Sequence, residues 1–326
     1  MAQSGELSVV RVAEVAARGE DDPAWLIEGL WGEGAVGVIG GAPKSCKSWL
    51  ALEMAVAVAS ERPCLGRYPV PKPGPALVYA AEDAPPDVRE RVENLARARR
   101  ASFADLEVRL ILEPTLRLDR IEDRARLKAT LARHRPRLLV LDPYVRLQCG
   151  VDENDATQVS AILGALREIS RAFAVAIALV HHTRKGGAED PGEGLRGSGD
   201  FWAWGDSNLY VRRRRDGIAL SIEHRAAASP PPVMMALVDD DGPVRLELRQ
   251  TQAPPEEVPL SERILRLLEA RGSLRKEELR PLLRVRNQHL AAALRDLEVA
   301  GRVVRTASGW TPATKGALER SGSPGP

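Results

Sequence analysis

The sequence predicts an α/β fold in which helices flank a parallel β-sheet, followed by a small helical domain. Between residues 35 and 182, strand-like apolar runs alternate with segments of helical period, which is typical of a parallel sheet. Two runs, RLLVLDPY at 137–144 and AVAIALVHH at 174–182, are continuously apolar, as expected for strands buried on both faces. After residue 200 the pattern changes to hairpins and then to three short amphipathic segments.

The predicted elements follow one another closely. In chain order they are a strand at 35–40, a helix at 48–60, a strand at 76–83, a helix at 85–100, a strand at 106–113, a helix at 121–134, a strand at 137–144, a helix at 152–173 and a strand at 174–182. Right-handed crossovers would bring the carboxyl ends of these strands to one edge of the sheet. That edge would hold Gly41, Glu82, Asp142 and His181.

The chain beyond the last of these strands divides into further segments. Turn signals at Asp216-Gly217 and Asp241-Gly242 predict two hairpins that add antiparallel strands to the sheet edge. We expect an N-terminal segment at 1–34, a core at 35–250, a linker at 251–259, a domain at 260–314 and a disordered tail at 315–326. Three helices and a β-wing within 260–314 suggest a winged helix.

Composition indicates a soluble cytoplasmic protein without a membrane segment. Of 326 residues, 44% are hydrophobic and 28% charged, and the net charge of +2 gives no global attraction to nucleic acid. The three cysteines have no paired spacing, which favours a reducing compartment. The N-terminus lacks the features of a signal peptide, and the apolar run at 172–180 is too short to span a bilayer.

The stretch GGAPKSCKSW at 40–49 carries the strongest motif. It fits the phosphate-loop pattern G-x-x-x-x-G-K-[ST] at Gly41, Lys47 and Ser48, with a strand before it and a helix after it. In such a loop, main-chain N–H groups and the helix N-terminus bind phosphates. The sequence therefore predicts an ATP site formed by Gly41, Ala42, Pro43, Lys44, Ser45, Cys46, Lys47 and Ser48. The alternative is a glycine-lysine turn without a ligand.

Cys46 is the departure from this pattern, because it stands where the second glycine belongs. That glycine lets the backbone approach the phosphates, and a Cβ atom there would crowd them. We therefore expect lower nucleotide affinity, slower hydrolysis or a shifted binding geometry.

Acidic residues at two predicted strand ends suggest metal binding and water activation. Asp142 would hold Mg²⁺ together with the Ser48 hydroxyl, although a turn cap before Pro143 also explains an aspartate there. Glu82 would orient the attacking water, although a surface acid is the alternative. Asp83 is better explained as the cap of the helix that begins at Pro85.

Histidines and basic residues complete the candidate set. His181 and His182 end the next strand, where one of them would sense the γ-phosphate unless both are structural. Among the arginines, Arg196 and Arg212 are candidates to stabilise transition-state charge across a subunit boundary; charge on an edge strand is the alternative for the run 212–215. Arg184, Lys185 and Arg196 are candidates to contact nucleic acid. The aromatic group FWAW at 201–204 suits packing better than base stacking.

The ordered set GAPKSCKS, YAAED, LLVLDPY, VHHTRKG and LRGSGD resembles the RecA-fold phosphate-loop ATPases of the AAA family, closest to the RepA-like group of hexameric replicative helicases. The resemblance covers about residues 22–225. It implies a RecA-like core, ATP between neighbouring subunits of a ring, commonly a hexamer, and single-stranded DNA bound by the loop at 183–198. It also implies the roles given above for Lys47, Ser48, Asp142 and Glu82. The place that such helicases give to an arginine finger holds Asp206 here.

Three functional hypotheses follow from these features. The first is an ATP-driven motor on single-stranded DNA, a helicase or translocase in the replication of a plasmid, phage or mobile element. The alternative is an ATP-gated DNA-binding or regulatory protein whose domain at 260–314 contacts duplex DNA or a protein. A third is a structural partner that binds nucleotide without hydrolysing it.

Overall fold

The computed structural model describes residues 9–14, 24–148, 156–182, 200–249, 260–283, 285 and 287–313. The chain forms two compact units, Met1–Gln250 and Thr251–Pro326. Among the described helices, none is both long enough and apolar enough to cross a membrane. The predicted contacts of Arg184, Lys185 and Arg196, and the loop at 183–198 to which they belong, lie outside the described residues.

The first unit is built on one large sheet, preceded by a short antiparallel pair. The strands in chain order are β1 (Trp25–Ile27), β2 (Trp31–Gly32), β3 (Val36–Gly41), β4 (Ala76–Ala80), β5 (Val108–Leu110), β6 (Leu138–Asp142), β7 (Ala176–His182), β8 (Ser207–Arg214), β9 (Gly217–His224), β10 (Val233–Val238) and β11 (Arg245–Leu248). β3 to β11 form a nine-stranded sheet in the order β11-β10-β9-β8-β3-β7-β6-β4-β5. Every neighbouring pair from β8 to β5 is parallel.

Helices cover both faces of this sheet. They are α1 (Lys47–Ser60), α2 (Pro85–Ala98), α3 (Ile121–His134), α4 (Ala156–Phe173) and α5 (Asp200–Trp204). Because side chains alternate along a strand, each strand feeds two separate cores. In β6, Leu138 and Val140 join the core of α1 and α2, whereas Leu139 and Leu141 join the core of α3 and α4. The predicted α/β class with a flanked parallel sheet is confirmed.

One strand differs from the prediction for the hairpins. The turn at Asp216-Gly217 joins β8 to β9 as expected, and β9, β10 and β11 are antiparallel to their neighbours. β8 itself is parallel to β3, the phosphate-loop strand. The reason is the connection before it, which includes α5 and is long enough for the crossover that parallel pairing requires. β8 therefore ends at the same edge as β3.

The second unit contains three helices and a hairpin. These are α6 (Leu260–Arg271), α7 (Lys276–Leu283), α8 (Asn287–Val299), β12 (Val303–Thr306) and β13 (Gly309–Pro312). Leu268, Leu279 and Leu294, one from each helix, meet in its core with Val303 of the hairpin. The elements are those that the sequence predicts, and the winged-helix assignment stays a prediction.

Candidate functional site

The predicted site residues meet at the carboxyl edge of the parallel strands. Gly41, the last residue of β3, lies beside His182 of β7 on one side and Val211 of β8 on the other. Asp142, the last residue of β6, lies beside Ala80 of β4. The loops that follow β3, β4 and β6 therefore start within one short stretch of the sheet edge.

Gly41 is required by close contacts at the start of the loop. A Cβ atom on it would lie 2.4 Å from the Val211 carbonyl oxygen and 2.8 Å from the Ser45 hydroxyl oxygen. Ser45 itself is 1% exposed, and its hydroxyl oxygen has no hydrogen-bond partner among the described residues. Buried hydroxyl groups are nearly always bonded, so this loop contains a polar atom that a bound anion can satisfy.

Cys46 adopts a left-handed backbone conformation, with φ 70° and ψ 24°, immediately before α1. Lys44 is left-handed too, with φ 61°. This conformation costs a residue with a Cβ atom about 1–2 kcal/mol relative to the right-handed one, whereas glycine adopts it freely. The sequence indicates crowding of the phosphates by Cys46, and the structure adds backbone strain at the same residue.

Lys47 is 4% exposed and its ammonium group donates a hydrogen bond to the Ala42 carbonyl oxygen at 2.8 Å. Burial lowers the pKa of Lys47 to about 8, and the nearby carboxylate of Asp142 opposes this shift. The side chain thus folds back across the loop and keeps its ammonium group buried against the Ala42 carbonyl.

Ser48 and Asp142 face each other across α1 and β6. The Ser48 hydroxyl lies near enough to the Asp142 carboxylate to lower its pKa. Burial has the larger effect and raises the pKa of Asp142 to about 6, and the Ser48 hydroxyl partly offsets the rise. A hydroxyl and a carboxylate are oxygen ligands of the kind that Mg²⁺ prefers, and Mg²⁺ completes its shell with water and phosphate oxygens. The residues present therefore fit a magnesium ion held with a nucleotide.

Glu82 and Asp83 each pair with an arginine. Glu82 accepts a hydrogen bond from Arg146 at 2.9 Å, and both side chains are about half exposed. Asp83 binds Arg91 through two hydrogen bonds, at 2.6 and 3.1 Å. The prediction that Asp83 caps α2 is wrong: Ala84 is the N-cap and no side chain bonds there. Two prolines in the first turn of α2 have no N–H group to donate, and the next N–H, that of Asp87, bonds the Ala84 carbonyl oxygen at 3.0 Å.

The two histidines lie on opposite faces of the sheet. His181 is 1% exposed and stacks on Phe201 with ring centroids 4.2 Å apart, edge-on to Tyr144. His182 follows the alternation of Ala178 and Val180, which face α1, and so lies on the face of the phosphate loop. The structure thereby distinguishes two residues that the sequence left as alternatives.

The arginine run on β8 is divided in the same way. Val211 faces the α1 core, so Arg213 is on the phosphate-loop face and Arg212 is on the other. Arg213 donates a hydrogen bond to the Lys44 carbonyl oxygen at 2.9 Å. In the FWAW group, Phe201 and Trp204 are buried, whereas Trp202 is 55% exposed.

Sequence reasoning missed two residues that support the site, Arg146 and Glu53, and it identified Arg213 only as a member of the run 212–215. Arg213 binds the loop, and Arg146 binds Glu82. Neither a run of arginines nor an isolated arginine indicates such a contact in a sequence. Glu53, within α1, is fully buried and pairs with Arg99 at 2.6 Å. A single acid inside the apolar run LALEMAVAVA is the signal that could have identified Glu53.

Comparison with known proteins gives the family of the chain. A crystal structure of the RadB recombinase is similar with a TM-score of 0.47 and 13% identity, over 63% of this chain and 88% of that one. No curated protein matches significantly. The model of a family described as an AAA domain matches residues 3–188, which include the phosphate loop, Glu82, Asp142 and both histidines. Since this match spans more than half of the 326 residues, the chain belongs to the AAA domain family.

Proposed function

We propose that the protein binds ATP with Mg²⁺ at the carboxyl edge of β3, β4, β6 and β7 and hydrolyses it. The observation that carries this proposal is the Ser48 hydroxyl lying near the Asp142 carboxylate, beside the buried ammonium group of Lys47. Two oxygen ligands for a hard cation and a cation for phosphate are thus side by side at a helix N-terminus. Membership of the AAA domain family supports nucleotide binding.

Each residue has a defined role in this proposal. The N–H groups of the loop at 41–48 and the Lys47 ammonium bind the phosphates, and the Ser45 hydroxyl gains a partner. Ser48 and Asp142 hold the ion. Glu82, released from Arg146, orients the attacking water. His182 is the better candidate for the γ-phosphate sensor, because it lies on the loop face of β7.

The motor hypothesis adds a ring, commonly a hexamer, in the cytoplasm and single-stranded DNA bound by the loop at 183–198. Its support is the sequence resemblance together with the position of the two ends of that loop. The loop follows His182 directly, and the α5 helix after it places Phe201 on the ring of His181. The described residues on either side of the segment that carries Arg184, Lys185 and Arg196 therefore lie at the strand end where the γ-phosphate sensor is proposed.

A second candidate function is an ATP-gated DNA-binding protein, favoured by a basic pocket in the second unit. The pocket has a volume of about 440 Å³ and lies between α7, α8 and the β12–β13 hairpin. Its lining includes Arg275, Lys276, Arg295, Arg305 and Trp310. Within the described part of the chain, none of these four cations forms an ion pair. Such a surface suits the phosphates of duplex DNA.

The experiment that tests the main proposal is ATP hydrolysis by the full chain, with and without single-stranded DNA, compared with Lys47→Ala. We expect DNA-stimulated hydrolysis that Lys47→Ala abolishes. Hydrolysis without stimulation and without unwinding contradicts the motor. Duplex binding that weakens with salt and is lost in Arg295→Ala/Arg305→Ala would then support the second candidate.

A further inference from the structure

Arg213 binds the phosphate loop of its own chain. Its Nε atom donates a hydrogen bond to the Lys44 carbonyl oxygen at 2.9 Å. Its guanidinium also lies near the side chain of Cys46. Lys44 and Cys46 are the two left-handed residues of the loop. Arg213 therefore reaches the loop at the points where its backbone turns.

The register of β8 makes this position specific to Arg213. Val211 pairs with Gly41 at the end of β3, and Arg213 is two residues further along the same face. Because side chains alternate along a strand, Arg212 and Arg214 lie on the other face of the sheet. Arg213 and Arg214 are both exposed, so they differ in face but not in burial.

Two cations are thus held on carbonyl oxygens of the loop, Lys47 on Ala42 and Arg213 on Lys44. A single neutral carbonyl is a weaker partner for a guanidinium than a phosphate, which carries charge and accepts two parallel hydrogen bonds. Because Arg213 is exposed, its side chain can exchange partners without first leaving a buried position. The loop that Arg213 contacts is the one whose N–H groups would bind the phosphates of a nucleotide.

We propose that Arg213 is a catalytic arginine that acts on the nucleotide of its own subunit. When ATP binds, the guanidinium leaves the Lys44 carbonyl and the Cys46 side chain and binds an oxygen of the γ-phosphate. This differs from an arginine supplied by a neighbouring subunit, which the sequence resemblance implies. The inference rests on the proposed function, since it needs ATP in the loop.

The chemical step itself needs no proton from Arg213. The oxygen of a water molecule forms a bond to the γ-phosphorus, and the bond from that phosphorus to the bridging oxygen breaks. The electron pair of the broken bond stays on the β-phosphate of ADP, and the proton of the water passes to the Glu82 carboxylate. Arg213 remains charged throughout and offsets the negative charge on the equatorial oxygens of the transferred group.

The first test compares Arg213→Ala with Arg214→Ala, which removes the same charge from the other face. For each full-length protein, the dissociation constants of ADP and of a non-hydrolysable ATP analogue are measured, together with kcat. Arg213→Ala should weaken analogue binding about 10-fold or more and leave ADP binding unchanged. Its kcat should fall by about 10³-fold. Arg214→Ala should match the natural protein.

A merely structural role for Arg213 gives a different result. If its contacts only hold the loop in shape, Arg213→Ala weakens ADP and the analogue by the same factor, and the proposal is overturned. If the natural protein binds neither nucleotide, the proposed function fails as well. If the natural protein binds both nucleotides, and Arg213→Ala changes neither kcat nor the ratio of the two dissociation constants, only the inference about Arg213 fails.

A mixing experiment tests whether Arg213 acts within its own subunit. Arg213→Ala and Lys47→Ala proteins are each expected to be inactive alone. If the arginine came from a neighbour, mixing them would create sites that combine an intact loop with an intact Arg213, and hydrolysis would return. We expect no return of hydrolysis, and recovery on mixing overturns the assignment to one subunit.

Discussion

The hydroxyl of Ser48 lies near the carboxylate of Asp142, where the first turn of α1 approaches the end of β6. Each group is a candidate magnesium ligand, and a bound ion would be held by both of them. Metal binding would therefore add contacts from both groups to a divalent cation. The strength of these contacts depends on the charge of Asp142.

The first prediction concerns Asp142→Asn, which keeps the shape of the side chain and removes its charge. We expect the Mg²⁺ affinity of the nucleotide complex to fall about 10- to 100-fold, while nucleotide binding in EDTA changes little. Fluorescent-nucleotide titration at a series of Mg²⁺ concentrations measures both quantities. Equal loss of binding with and without Mg²⁺ would contradict the assignment of the ion to Asp142.

The same carboxylate gives a pH dependence at the acid side. Since the pKa of Asp142 is raised to about 6, a proton competes with the ion as the pH falls through that value. Mg²⁺-dependent binding should therefore weaken below about pH 6, and Asp142→Asn should show a smaller dependence, due only to the phosphate of the nucleotide, whose second pKa is about 6. A natural protein whose Mg²⁺ affinity is constant from pH 7 to about pH 5 would count against the prediction.

Lys47 gives a second pH dependence, at the alkaline side. Its pKa is lowered to about 8 in the nucleotide-free protein, so it loses its charge as the pH rises above that value. Phosphates favour the charged form, and binding must then take up a proton. The logarithm of the ADP association constant should fall with pH above about 8, with a slope approaching −1. Lys47→Arg, which stays charged, is the control and should show no such slope.

A further prediction separates the two effects of Cys46. Cys46→Gly removes both the left-handed strain and the thiol that lies near Arg213, whereas Cys46→Ala removes only the thiol. Relief of strain, less the added freedom of glycine in the unfolded chain, should make Cys46→Gly about 0.5–1 kcal/mol more stable than Cys46→Ala. Urea unfolding followed by tryptophan fluorescence reports mainly on the first unit, because Trp310 is the only tryptophan outside it.

Nucleotide binding by the same two variants gives an independent check. Cys46→Gly should bind ADP at least as tightly as the natural protein, because it also removes a Cβ atom from the loop. If Cys46→Gly is less stable than Cys46→Ala and also binds ADP more weakly, backbone strain at Cys46 does not limit the stability of the protein or its affinity for ADP.

The strand ends could be predicted from sequence because each apolar run stops at a polar residue. Asp142 after RLLVL and the histidines after AVAIALV follow that rule. The sequence could not show on which face of the sheet each of two adjacent residues lies. Two adjacent histidines and four adjacent arginines are equivalent in a pattern, and only the register of β7 and β8 places His182 and Arg213 on the loop face.

Cys46 and β8 show two further limits. The mismatch at Cys46 was visible in the motif, but its left-handed φ is a property of the folded loop. The parallel pairing of β8 depends on the long connection between β7 and β8. The turn signal at Asp216-Gly217 lies after β8 and gives no information about that connection. Both are consequences of tertiary structure rather than of local preference.

The last prediction concerns Glu53, whose role is structural. One oxygen of this fully buried carboxylate accepts hydrogen bonds from the Leu65 N–H at 2.6 Å and from the Arg99 Nε at 2.7 Å. Arg99 also donates to the Leu246 carbonyl at 2.9 Å, so the pair ties α1 to the end of α2 and to β11. Removing one partner of a buried ion pair leaves an uncompensated charge.

Glu53→Ala should therefore lower the free energy of unfolding by about 3–5 kcal/mol. Glu93→Ala is the matched control, because it breaks exposed pairs with Arg89 and Arg97 on α2, each worth about 0.3–0.5 kcal/mol. Glu53→Gln, which can still accept the bond from Leu65, should fall between these values. Urea unfolding measures all three, and a Glu53→Ala protein as stable as Glu93→Ala would show that burial of this pair does not stabilise the first unit. Because Glu53 lies on the helix that begins at Lys47, loss of the pair should also weaken ADP binding, which the Glu93 control should not.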